Sequence, residues 1–123
     1  MYTDLRIFGV GIALTALVSG CALIRPEWSM AVKNTGTVEI QQSTIRCGRL
    51  LYSPGVLIPN GQAGFYCDRA PIPKTATLRW IREGGAWHEQ QVAVRSVLPP
   101  RFEGCVYFDI DNHDNVTVRP KPR

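Results

Sequence analysis

The stretch TATLRWIR-EGG-AWHEQQVAVR, residues 75–95, decides how the chain folds. Ala76, Leu78 and Trp80 fall on one parity, Thr77, Arg79 and Ile81 on the other. A period of two is the mark of a β-strand with one face turned to a core. Glu83-Gly84-Gly85 then supplies a turn, because glycine reaches positive φ without a steric cost. The returning limb carries Trp87, Val92 and Val94. Their parity does not match across residues 87–92, which predicts a bulge or a mixed face near Glu89 and Gln90.

Working outward, Pro99-Pro100 separates this hairpin from a second one. In it Val106, Phe108 and Ile110 share a parity, and Val116 and Val118 answer them across Asn112-His113-Asp114. The end, Arg119-Pro120-Lys121-Pro122-Arg123, is basic and is predicted to fray. Toward the start, Val38 and Ile40 alternate, Leu50-Leu51-Tyr52 is a short apolar run, and Pro59-Asn60-Gly61-Gln62 is a turn. Residues 63–67 read as a short strand, and Pro71-Ile72-Pro73 excludes ladder pairing, since proline lacks an amide donor. About seven short strands with turns every 8–12 residues give an all-β fold. The predicted architecture is an antiparallel β-sandwich, immunoglobulin-like in layout but without the Cys-Trp-Cys spacing of that family. The chain has 123 residues, 45% of them hydrophobic and 20% charged, which suits one globular domain rather than disorder.

The first twenty residues stand apart. Arg6 is followed by an apolar or small run from Ile7 to Val18 and then by Ser19-Gly20-Cys21. That run is shorter than the ~20 residues needed to span a bilayer, and it has the layout of a secretory signal. Val18-Ser19-Gly20-Cys21 resembles the bacterial lipobox, in which the cysteine is acylated and the preceding peptide removed. By that resemblance Cys21 carries covalent lipid. Each buried methylene contributes ~0.8 kcal/mol, so two or three acyl chains anchor stably. The expected division is a signal peptide over 1–20, a short lipidated tether over 21–27, a sandwich domain over 28–119 and a basic tail over 120–123. Ala22, rather than aspartate, follows the cysteine. By the same resemblance this favours the periplasmic face of the outer membrane over the inner membrane. Removing residues 1–20 leaves 103 residues with 13 positive and 9 negative charges, still +4.

Three cysteines then remain for an oxidising compartment, enough for one disulfide and a spare thiol. Cys47 and Cys67 flank turn-rich segments and are the expected pair. Closing a loop of about 20 residues would contribute roughly 3 kcal/mol. Cys105 could equally partner either, and connectivity stays open at this level.

No catalytic constellation emerges. His88 and His113 have no metal-ligand spacing, and a triad of Ser96, His88 and an aspartate lacks a nucleophile elbow. His88 reads as an exposed strand residue. Asp109, Asp111 and Asp114 cluster, but counted from Asp109 a calcium loop would need glycine where Asp114 stands and glutamate where Pro120 stands. A polar turn accounts for them better. The scattered arginines, Arg46, Arg49, Arg69, Arg79, Arg82 and Arg95, are assigned to strand exteriors and turns, where solvation or weak attraction to anionic headgroups replaces a nucleic-acid role. No enzyme activity, metal, cofactor, nucleic acid or small-molecule substrate is expected. Trp28, Trp80 and Trp87 are expected to be structural, and any left exposed is an interface anchor.

The segments 71–80 (PIPKTATLRW), 88–94 (HEQQVAV) and 102–110 (FEGCVYFDI) resemble those of small proteobacterial lipoproteins, departing from the group at Cys105. Some related lipoproteins are encoded beside type VI secretion phospholipase effectors and serve as their immunity proteins. The resemblance implies a periplasmic immunity lipoprotein that binds and occludes a lipase effector, touching the bilayer through its anchor. The alternative is a structural or accessory lipoprotein of an envelope assembly such as a secretion system. An interface of ~1,600 Å² is within reach of a domain this size. Loops 53–62, 69–74 and 83–87 are the expected contacts, with Tyr52, Arg69, Lys74, Arg82 and Trp87 as candidate binding residues.

Overall fold

A computed structural model describes residues 27–67 and 70–123. Eight strands are found there: β1 (Trp28–Asn34), β2 (Ile40–Cys47), β3 (Leu50–Tyr52), β4 (Gln62–Tyr66), β5 (Thr75–Arg82), β6 (Trp87–Ala93), β7 (Gly104–Ile110) and β8 (Val116–Pro122). They form two four-stranded sheets, ordered β4-β1-β7-β8 and β3-β2-β5-β6. The fold is thus the expected sandwich. All pairs are antiparallel except β1 with β7, which run parallel from Trp28↔Gly104 to Asn34↔Ile110. The only helical element described is a single 3₁₀ turn, Arg95–Val97. No helix among the described residues is long and apolar enough to cross a membrane.

The core follows from strand parity. β1 turns Trp28, Met30, Val32 and Asn34 inward, and β7 turns in Val106, Phe108 and Ile110. From the opposite sheet Ile45, Ala76, Leu78 and Trp80 meet them. Each large apolar side chain so buried is worth about 1.5–3 kcal/mol. In β2 the buried residues Ile40 and Ser43 are three apart, which breaks the alternation. A register shift between Ile40 and Gln42 restores the phase. The β5–β6 ladder, by contrast, runs unbroken from Thr75↔Ala93 to Ile81↔Trp87. Of the two readings of that hairpin, the mixed face is the one realised: Val92 leans inward and Trp87 faces out.

Both open sides of the sandwich are pinned. Gln90 Oε1 accepts from the Val116 amide at 3.1 Å, joining β6 to β8. On the other side the rings of Tyr52 and Phe65 lie 4.6 Å apart, joining β3 to β4.

Two sequence expectations are corrected here. Residues 120–122 are not a loose tail: β8 continues to Pro122 and pairs with Gly104 and Val106. Pro120 and Pro122 are tolerated because β8 is an edge strand, where one side of the ladder needs no donor. The expected Cys47–Cys67 bridge is also not formed, and Cys47, Cys67 and Cys105 are free thiols. Cys47 Sγ lies 3.6 Å from Met30 Sδ, and Cys67 Sγ lies 3.9 Å from the Phe65 carbonyl oxygen, so each thiol is seated against another neighbour.

Candidate functional site

The strand registers sort the loops into two ends. Trp28, Cys47, Lys74, residues 94–103 and the close of β8 gather at one end. Residues 34–40, 57–61, 82–87 and 111–115 gather at the other.

The first end holds an apolar groove. Pro71, Pro73, Pro99 and Pro100 cannot donate to a ladder, so residues 70–74 and 94–103 cross the end as loops and do not seal it. The loops are nevertheless fixed. Trp28 Nε1 donates to the Ala70 carbonyl at 2.7 Å, and the Val94 amide donates to Lys74 at 2.8 Å. Arg95 straps the loops together, its Nη2 donating to the Ile72 carbonyl at 2.7 Å. Between them lies a hollow of about 560 Å³ floored by Ile72, Leu98 and buried Phe102 and bordered by Arg95 and Arg101. A neighbouring hollow of about 340 Å³ shares Ala70, Pro71, Ile72 and Arg95 and carries the groove on to Arg49 and Leu50. Buried Cys47 borders it. Burial, and then the neighbouring Cys67, push the Cys47 thiol up to about 12, so it is protonated and unreactive near neutrality.

The second end is polar. Arg82 is buried and donates to Asp114 Oδ1 at 2.8 Å, Asn34 Oδ1 at 3.1 Å, the Asp111 carbonyl at 2.7 Å and the Val38 carbonyl at 2.5 Å. Asp114 also accepts from Trp80 Nε1 at 2.9 Å and pairs with His88 Nε2 at 3.3 Å. Burial raises the Asp114 carboxyl, but the hydrogen bonds of Trp80 and Arg82 and the Arg82 charge outweigh it and hold it below 3.8. Asp111 Oδ1 accepts the amides of His113 and Asn115 at 2.9 and 3.0 Å, which closes the turn and lowers its pKa too. The acidic cluster is a turn, as its spacing implied, with Asp114 additionally clasping the second sheet. Among the described residues no group of three metal-ligating side chains assembles.

The candidate residues do not converge. Tyr52 is half-buried: its ring pins β3 to β4 and its hydroxyl bonds Cys67, so it is a packing residue rather than a free contact. Arg82 is likewise corrected from surface to interior, because its parity is that of Ala76, Leu78 and Trp80. That parity was the sequence signal for it. Lys74 is exposed beside the groove. Trp87 is 43% exposed on the outer face of the second sheet, with the Arg79 guanidinium 4.4 Å above its ring. His88 is half-buried and stacks on Trp80 with ring centres 5.6 Å apart. Ser96 sits in the 3₁₀ turn at the opposite end, so no triad forms with it. Cys21 and Arg69 lie outside the described residues. Sequence reasoning missed the groove, although its four prolines marked both loops that make it.

No family model matches the chain, and no curated protein matches it in sequence. Among solved structures it is similar to a protein from Eubacterium rectale determined by NMR, with a TM-score of 0.52 at 9% identity, over 80% of this chain and 92% of that one. At that identity the likeness is one of fold: the chain belongs with β-sandwich domains of this layout.

Proposed function

We propose that the chain is a lipid-anchored periplasmic binding protein that acts as an immunity protein, occluding a type VI secretion phospholipase effector. The observation that carries this reading is the exposed Trp87–Arg79 pair near the end of the sandwich opposite Trp28. Acylation at Cys21, on a tether of residues 21–27 and at the periplasmic face of the outer membrane, would hold the Trp28 end near the bilayer. Trp87 would then face the periplasm. Trp and Arg dominate binding hot spots because they bury large area at small entropic cost. A phospholipase works at the same surface, so a tethered inhibitor meets it at high local concentration.

The test is a pull-down of the full chain with a lipase encoded beside it, combined with co-expression. Capture and relief of toxicity are expected, with Trp87→Ala weakening binding roughly tenfold or more while leaving the fold intact. Absence of capture at micromolar concentration together with unrelieved toxicity sinks the immunity reading. Capture of an envelope-assembly component in place of the lipase would replace it with the accessory role.

A further inference from the structure

The two ends of the sandwich carry opposite charge. Among the described residues, Arg49, Lys74, Arg95, Arg101, Lys121 and Arg123 stand at the groove end. The acids there are Glu27 and Glu103, and Glu27 is already engaged by Arg123 at 3.3 Å. At the other end stand Glu39, Glu83, Asp111 and Asp114, against Lys33 and Arg82, the latter matched by Asp114 at 2.8 Å. Apolar side chains reach solvent at both ends, Leu50 39%, Leu51 54% and Val97 48% exposed at the groove end and Val38 44%, Val56 60% and Ile58 59% at the other, so it is their pairing with cations that sets the groove end apart. An apolar floor inside a ring of cations is the composition of a surface that settles into the headgroup region of an anionic bilayer.

We infer that the groove end is a second, non-covalent membrane contact: it docks on anionic phospholipid with Arg49, Lys74, Arg95 and Arg101 against phosphates and Leu50 and Val97 in the acyl boundary. The occupant is argued from charge complementarity and from where the chain leads. Trp28 opens β1 at this end, and six residues separate it from Cys21. Six residues reach at most ~20 Å. If Cys21 is acylated, as in the reading above, this end must lie against the bilayer. The surface itself does not depend on that acylation, nor on the identity of any protein partner.

The test separates docking from anchoring. The full chain carrying Cys21→Ser cannot be acylated there. It is sedimented with vesicles of phosphatidylcholine alone or doped with phosphatidylglycerol. Binding should rise with the phosphatidylglycerol fraction and fall with added salt, since headgroup attraction is screened beyond ~10 Å at 0.1 M. Arg49→Glu/Lys74→Glu, both exposed and free of side-chain roles in the fold described above, should reduce binding roughly tenfold or more. The signal-like segment is unchanged in that comparison, so its own affinity cancels. Glu39→Lys/Glu83→Lys changes charge by the same amount at the far end and should alter binding little. Equal binding of the parent and the Arg49→Glu/Lys74→Glu chain overturns the proposal. So does an equal and opposite response to the far-end substitutions, which would mean that net charge governs binding. Failure of the lipase pull-down would leave this result untouched.

Discussion

Arg82 ends β5 where the alternation of that strand carries it inward, and the guanidinium has to be answered there. Four acceptors from three stretches of chain do so: Asn34, Val38, and Asp111 with Asp114. A planar fork with fixed donors suits this better than a lysine could. Arg82→Met is expected to cost about 3 kcal/mol in chemical denaturation, because it strands the Asp114 carboxylate and buried carbonyls without donors. Asp114→Asn keeps an acceptor for Trp80 and should cost less, about 1–2 kcal/mol. The double variant should fall short of the sum, since the two side chains share one bond. The same pair sets the acid limit. The pKa of Asp114 is depressed on folding, so its stabilisation is present above the unfolded value and is lost as pH falls through the folded one. The denaturation midpoint should hold from neutrality to about pH 5 and drop below about pH 4. Asp114→Asn should flatten that drop; an identical acid profile in the variant would show that Asp114 is not the group responsible. Arg82 was within reach of the sequence, because it shares the parity of Ala76, Leu78 and Trp80. What parity could not supply was Asp114, thirty-two residues away and presented by a turn with φ of 58°.

Among the elements, β5 and β7 were legible because a half-buried strand writes its two faces into alternate residues. β2 was harder, since its bulge puts two core residues three apart. The pairing of β1 with β7 was not legible at all. It joins residues 28–34 to 104–110 in parallel, and no local turn dictates which distant strands meet. The start of β8 is legible in Val116 and Val118, but its last residues, 120–122, read as a frayed tail because prolines weaken strand propensity, yet an edge position tolerates them. That edge is locked at Gly104. Its φ is 142°, a conformation suited to glycine, and a Cβ there would run into the Lys121 carbonyl and lie 2.8 Å from the Arg123 amide nitrogen. Gly104→Ala should therefore destabilise the domain by about 2 kcal/mol or more. Amide exchange would show the loss concentrated in residues 104–106 and at Lys121 and Arg123, the amides beside Pro120 and Pro122. Gly84→Ala, also at positive φ but with open space around it, serves as the comparison and should cost less. Equal costs would mean that backbone strain alone acts at Gly104.

At the scale of the molecule, the prolines of the two groove loops, six cations and the start of β1 fall at one end of the sandwich, while Trp87 and Glu39, Glu83, Asp111 and Asp114 fall toward the other. The sequence held every one of these residues, but an end of a sandwich is assembled from loops far apart in the chain. Only the strand register brings Arg49, Lys74, Arg95 and Arg101 onto one rim. A net charge of +4 spread evenly would attract an anionic surface without orienting the domain. The same charge divided between opposite ends also exerts a torque, turning the basic end toward phosphate and the acidic end away. With the proposed acylation of Cys21, tether and electrostatics would act on the same end, and Trp87 would stay clear of the bilayer. This orientation can be read directly by amide hydrogen exchange of the full chain, with and without phosphatidylglycerol vesicles. Protection should increase over residues 70–74 and 95–102, where loop amides outside the ladders border the groove. It should not change over residues 83–86, the turn beside Trp87. Protection appearing at the turn instead would invert the orientation, placing the proposed partner surface on the membrane and removing the basis for a contact there with protein.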